Sequence, residues 1–244
     1  MGSFLSTTDQ VAVLCGGKGT RLKPTTDVVP KALVELNGRP MLDYIIDFYR
    51  TKGLTKFILC VGHKAEKVKN YYEHPPSGTE IDFSDAGENA SMLERVWAIR
   101  NHMGERIFVA YCDTFIDLDL DRMMADHLEH KAEVTIVSAK IRNPFGLLTY
   151  DSDNWVTSFV EKPLSNYYIG CFILERSALD LVTPEMLKRP DGQGLVEGLF
   201  EGLIGAKKLA VFEHRGAQIT FNTESERKKV EEYLGRFYTH LEEL

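Results

Sequence analysis

Apolar residues along this chain fall into short unbroken runs, separated by stretches where they return every third or fourth position. The runs Val11–Cys15, Lys56–Val61, Glu80–Ser84, Ile107–Cys112 and Val134–Ala139 read as strands. Several are apolar without alternation, as central strands covered on both faces are. Pro40–Lys52 sets Leu42, Ile45, Ile46 and Tyr49 on one helical face, with Pro40 near the start and Gly53 just past the end. Ala65–Tyr72 and Ser91–Met103 form helices after the next two strands. This rhythm predicts an α/β fold: a Rossmann-like, mainly parallel mixed sheet flanked by helices, with its ligand site at the strands' carboxyl ends.

After about residue 140 the rhythm changes. Phe145–Tyr150, Trp155–Val160 and Tyr167–Leu174 are short strands joined by Asn/Asp or Pro/Ser turns, which predicts a smaller β-rich lobe over the first. Lys208–His214 and Gln218–Phe221 add further strands. Asn222 suits the N-cap of a terminal helix running from Thr223 to about Leu241. The expectation is one domain over residues 1–244: a first portion over about 10–140, the lobe over about 141–222, and the helix over about 223–244.

With 244 residues, 43% hydrophobic and 27% charged, the chain can bury one sizeable core. Its net charge of −7 argues against a broad nucleic-acid surface, so any phosphate site must be a local basic cluster. No apolar run reaches the roughly 18 residues of a membrane helix, and Met1–Gln10 lacks the features of a signal peptide. Cys15, Cys60, Cys112 and Cys171 lie far apart in apolar runs, which reads as free core thiols in a reducing cytoplasm. His127-Leu128-Glu129-His130 lacks the i, i+4 histidine pair of a zincin and reads as the solvated face of an amphipathic helix.

The first strand ends in Leu14-Cys15-Gly16-Gly17-Lys18-Gly19-Thr20-Arg21-Leu22. Gly16, Gly17 and Gly19 let the backbone turn sharply and bring N–H groups close to an anion. Arg21 and, ten residues later, Lys31 add positive charge, a combination suited to a triphosphate. The spacing is neither Walker A nor the dinucleotide fingerprint. Asp113 follows an apolar strand, where a carboxylate is costly unless it faces a cleft or a cation.

Gly-Gly-x-Gly-Thr-Arg-Leu followed by Pro30-Lys31 resembles the signature of the sugar-1-phosphate nucleotidyltransferases. Val34–Met41, Tyr111-Cys112-Asp113, Glu161-Lys162-Pro163 and Tyr168-Ile169-Gly170-Cys171-Phe172 resemble later motifs of that family in order, from about residue 10 to about residue 235. The resemblance implies transfer of a nucleotidyl group from a nucleoside triphosphate to a sugar 1-phosphate, with release of pyrophosphate. It implies that Leu14, Gly16, Gly17, Gly19, Thr20 and Arg21 hold the nucleotide, that Arg21, Lys31 and Asp113 are catalytic, and that Asp113 holds Mg²⁺. Lys162 is implied on the sugar phosphate, Glu161 at the sugar hydroxyls and Gly170 where the chain passes close under the sugar ring, which would make the lobe the sugar-binding part.

The family's second metal carboxylate aligns with Asn222, an amide that can ligate Mg²⁺ without charge or serve only as a helix cap, with Thr220 or Glu224 as alternative helpers. Cys60-Val61-Gly62-His63-Lys64 and Asp85-Ala86-Gly87 resemble the glucose-1-phosphate cytidylyltransferase branch, which implies CTP and places Gly62, His63, Asp85 and Gly87 at the nucleotide. Ala90–Arg95 departs from that branch beside the base, so guanylyl or uridylyl transfer to a heptose or hexose 1-phosphate stays open. So do phosphocholine-type cytidylyl transfer and a non-catalytic regulatory relative. A homo-oligomer is compatible with an apolar face on the terminal helix.

Overall fold

A computed structural model describes residues 3–6, 9–190, 193–221 and 223–237. Its strands in chain order are β1 Gln10–Leu14, β2 Glu35–Leu36, β3 Arg39–Pro40, β4 Lys56–Val61, β5 Glu80–Asp85, β6 Arg106–Tyr111, β7 Thr114–Ile116, β8 Val134–Arg142, β9 Leu147–Tyr150, β10 Val156–Val160, β11 Leu164–Glu175, β12 Leu209–His214 and β13 Gln218–Thr220. The α-helices are α1 Thr25–Val28, α2 Met41–Thr51, α3 Ala65–Tyr71, α4 Met92–Ala98, α5 Leu120–His130, α6 Pro184–Leu187, α7 Glu201–Gly205 and α8 Glu224–Phe237.

Seven strands form the central sheet in the order β12-β8-β11-β6-β1-β4-β5. Neighbours run parallel except at β11, which is antiparallel to both β6 and β8. The continuously apolar strands are those buried on both faces, as their sequence predicts. In β1, Val11 and Val13 pack into the core on one side and Ala12 into the core on the other. Met41, Leu42, Ile45 and Ile46 of α2 close the first core; Leu93 and Val96 of α4, with Leu195, Leu199 and Leu203, close the second. Each fully buried large side chain contributes about 1.5–3 kcal/mol of transfer free energy. All four cysteines are buried and free. Burial is the main reason the thiols of Cys60 and Cys112 are pushed up to about 12 and that of Cys171 to about 11.

Two small pairings hold the strand ends. β13 pairs antiparallel with β7, matching Thr220 to Thr114, so a segment near the C-terminus braces the turn just after β6. β9 and β10 form a separate two-stranded ribbon that continues outward from β8 and β11. No helix among the described residues is long and apolar enough to cross a membrane.

At the start of the terminal helix Thr223 forms a reciprocal capping box: its hydroxyl accepts from Glu226 N at 3.3 Å, and Glu226 Oε2 accepts from Thr223 N at 3.1 Å. Asn222 itself, and the helix beyond Phe237, lie outside the described residues. His127 is not on a solvated face. It is 1% exposed, with Nδ1 2.7 Å from Thr135 Oγ1 on β8 and Nε2 2.9 Å from Glu175 Oε1 on β11. Burial raises the Glu175 carboxyl, but hydrogen bonds from His127 and Arg106 outweigh it and hold the group below its usual range.

Candidate active site

The ladder between β1 and β4 does not stop at the strand ends. Cys15 N donates to Cys60 O at 3.1 Å and His63 N to Gly16 O at 3.0 Å, which ties the glycine loop to the turn after β4. Gly19 takes φ +62°, and a Cβ there would stand 2.9 Å from Thr26 and 3.0 Å from Lys31, so the loop folds directly onto the segment that carries the lysine. Thr26 Oγ1 locks this arrangement by donating to Gly19 O at 2.8 Å. Gly17 meets nothing within 4 Å and borders open space.

These segments wall a cleft of about 770 Å³ at the carboxyl ends of β1 and β6. Leu14, Gly16, Gly17, Gly19, Thr20, Arg21, Lys31 and Asp113 all line it, although Arg21 and Asp113 lie far apart in sequence. Arg21 is exposed, and among the described residues its guanidinium takes no hydrogen bond or ion pair. Lys31 Nζ forms an ion pair with Asp113 Oδ2, the two side chains being 12% and 21% exposed. Thr114 Oγ1 donates to Asp113 Oδ1 at 3.3 Å and Thr220 Oγ1 to Asp113 O at 3.2 Å, so the β7–β13 pairing fixes the aspartate.

The other acidic groups at the cleft are engaged elsewhere. Glu88 Oε1 is 2.7 Å from His63 Nδ1, a hydrogen bond that holds the Glu88 carboxyl below its usual range. Glu94 completes a capping box on Ser91 at the start of α4. Among the described residues no three His, Cys, Asp or Glu side chains form a metal cage. A single carboxylate beside room for phosphates fits Mg²⁺, which keeps several waters and takes the rest of its ligands from substrate phosphates. Asn222, the other expected ligand, lies outside the described residues. Glu224 faces other partners: Thr25 Oγ1 donates to it at 2.7 Å and Arg227 Nε at 2.9 Å.

Gly62, His63, Asp85 and Gly87 do not line the cleft. Asp85 accepts from Lys69 Nζ at 3.1 Å and from Gly87 N at 3.0 Å. Gly170, at φ +92°, lets β11 pass the Tyr111 ring, which a Cβ would approach to 3.0 Å. Glu161 and Lys162 sit at the base of the β9–β10 ribbon, outside the cleft lining, with Lys162 Nζ 3.7 Å from Glu161 Oε1.

Sequence reasoning missed Arg95. Only 6% exposed, it reaches from α4 under the loop and donates from Nη1 to Val61 O at 2.5 Å and from Nη2 to Glu88 O at 3.4 Å. A Cβ on Gly16 or on Gly62 would each come to 2.2 Å from Nη1. The guanidinium is therefore the floor on which both strand-end turns rest. A lone arginine in an amphipathic helix carries no sequence signal of this, although the Ser91–Glu94 capping box does mark where its helix starts. Arg95→Ala is expected to lower stability by about 2–4 kcal/mol, through lost packing of the stem and a lost charge-assisted hydrogen bond. Urea denaturation checks this, and an unchanged midpoint would show that the floor carries no weight.

Comparisons with known proteins place the chain in a family. The family model described as nucleotidyl transferase matches residues 10–215. A Bacillus subtilis (strain 168) protein described as "Probable glucose-1-phosphate cytidylyltransferase" is 27% identical over 239 residues, 88% of this chain and 91% of that one. A mannose-1-phosphate guanyltransferase of Pichia angusta is 33% identical over 219 residues, 84% of this chain and 58% of that relative. The crystal structure of HddC from Yersinia pseudotuberculosis matches with a TM-score of 0.70 at 22% identity, over 93% of this chain and 99% of that one. That last likeness speaks to the fold.

Proposed function

This chain belongs to the nucleotidyl transferase family, and from that premise we propose that it transfers a nucleotidyl group from CTP to a sugar 1-phosphate, releasing pyrophosphate. The observation that carries the reading is the meeting in one cleft of a glycine loop, the lysine–carboxylate pair Lys31–Asp113, and Arg21, which has no protein partner among the described residues.

Both reactants are anions, so the chain's task is to neutralise charge and align the phosphates. Backbone N–H groups of Gly16–Thr20 cradle the triphosphate. A sugar-phosphate oxygen, already deprotonated, attacks the α-phosphorus; the bond to the oxygen bridging the α- and β-phosphorus breaks, and pyrophosphate leaves with that electron pair. Arg21, free of protein partners among the described residues, forks onto the oxygens where charge grows. Lys31 lies across the same phosphates and exchanges its hold on Asp113 for them. Asp113 would hold Mg²⁺, which when bound supplies Lewis-acid neutralisation of phosphate charge.

Cytidine rests on the Cys60–Lys64 and Asp85–Gly87 runs and on the cytidylyltransferase description of the Bacillus relative. The second reading, guanylyl transfer, is favoured by the mannose-1-phosphate relative, and the Ala90–Arg95 run, which departs from the cytidylyl pattern, lines the cleft through Ala90, Ser91, Met92, Glu94 and Arg95. A pyrophosphate-release screen of four nucleoside triphosphates against hexose and heptose 1-phosphates and phosphocholine decides between them. Turnover with CTP and a hexose 1-phosphate is expected. A preference for GTP installs the second reading, and no release with any pair overturns both.

Lys162 has only its neighbour Glu161 as an ion-pair partner among the described residues, and we place it on the sugar phosphate. Lys162→Ala is expected to raise KM for the sugar phosphate about 10- to 100-fold, the worth of one charge-assisted hydrogen bond, with a few-fold change at most for the triphosphate. Equal effects on both substrates would put this lysine in the wrong half of the site.

A further inference from the structure

The glycine loop also reaches the segment that leads into α4. Lys18, between Gly17 and Gly19, donates from Nζ to Asn89 Oδ1 at 2.7 Å, although the two lie 71 residues apart, and both side chains line the cleft. A lysine ammonium has donors and no acceptor, so the amide must turn its oxygen toward it. That contact decides what the other end of the amide offers. Nδ2 is left as a pair of N–H donors with no protein acceptor among the described residues.

Asn89 stands on a turn whose other residues are held. Gly87 N donates to Asp85 Oδ1 at 3.0 Å, Ala90 N to Gly87 O at 3.3 Å, and Arg95 Nη2 to Glu88 O at 3.4 Å. Ser91 closes the turn with its capping box on Glu94. This stretch of the lining suits a neutral partner better than a phosphate. Glu88 and Glu94 bring two carboxylates to it against the one buried guanidinium of Arg95, whereas Arg21 and Lys31 gather positive charge at the loop. The uncharged part of a nucleoside triphosphate is its base.

We propose that Asn89, its amide oriented by Lys18, reads the nucleobase by donating from Nδ2 to the adjacent acceptors O2 and N3 of cytosine. The inference rests on the CTP reading above and names the group that enforces it. Uracil carries a proton on N3, so an amide held with its donors toward the base meets it N–H against N–H. The corresponding edge of guanine sets two donors, N1–H and the N2 amino group, against the same amide. A donor facing a donor leaves both unpaired, which is how a polar site rejects the wrong ligand.

The test is calorimetric titration of the full chain with CTP, UTP and GTP, which needs no acceptor sugar. The parent is expected to bind CTP about 10- to 100-fold more tightly than UTP. Asn89→Asp keeps the Lys18 contact as an ion pair but replaces the donors with acceptors. Its added charge weakens both nucleotides, so the ratio is the readout, and it is expected to fall to about one or to invert. Lys18→Met frees the amide to turn over, and the ratio is expected to fall about 3- to 10-fold. A lysine that held only phosphate would weaken CTP and UTP equally. Both residues are exposed, so unchanged circular dichroism is expected of both variants. A parent that prefers CTP, with an unchanged ratio in either variant, overturns the inference and leaves the CTP reading standing. A parent that prefers UTP or GTP, or binds none of the three, overturns the inference together with that reading.

Discussion

Arg21→Ala is expected to lower turnover by about 10² to 10³, the cost of removing one preorganised donor to a developing anion. The structure explains why the loss should be catalytic and not structural. Arg21 is exposed at the cleft and bonds to nothing among the described residues, so its removal leaves no protein group unpaired. Circular dichroism and the thermal midpoint should stay those of the parent. Arg21→Lys should recover only part of the rate, because an ammonium cannot fork onto two phosphate oxygens. Steady-state pyrophosphate release measures both. A rate within a few-fold of the parent for Arg21→Ala removes the residue from the catalytic machinery.

Asp113→Asn is expected to cost more, about 10³-fold or beyond. A bound divalent ion is worth several kcal/mol of charge stabilisation, and about 1.4 kcal/mol corresponds to a factor of ten. Raising Mg²⁺ should not restore the rate, because Asp113 is the one cleft carboxylate among the described residues not held by His63 or by the α4 cap. The substitution also leaves Lys31 without its ion-pair partner. Asp113→Asn should therefore change Mn²⁺ affinity, read by paramagnetic resonance, as well as rate. Near-parent activity would show that the metal reading is wrong.

The first half of the chain is the more legible. Its central strands are covered on both faces, so they are written as unbroken apolar runs, and glycine or proline marks their ends. The loop chemistry is legible for the same reason: Gly16–Arg21 and Asp113 each follow such a strand directly. The place of β11 is not. Its antiparallel insertion between β6 and β8 is a pairing across long sequence separations, and no local pattern encodes which strands become neighbours. His127 reads as solvated because α5 alone sets it among polar residues, whereas its burial comes from Thr135 and Glu175 on other strands. Asn222 and Thr223 are both good caps one position apart, so sequence can place the helix start but not choose the capping residue.

The buried arginine beneath the loop also fixes an order in which this site can change. The three atoms nearest a Cβ on Gly62 all belong to Arg95, so the tightest restriction on that position comes from the guanidinium. Gly16 differs: besides Arg95, a Cβ on it would come to 2.7 Å from the backbone carbon of Val61. A lineage that shortened residue 95 first would thus lift the tightest restriction on position 62 but leave position 16 against the Val61 backbone. The reverse order meets the buried guanidinium at its first step. Descendants of this chain should vary at 62 only where 95 has already changed, and keep glycine at 16 in either background.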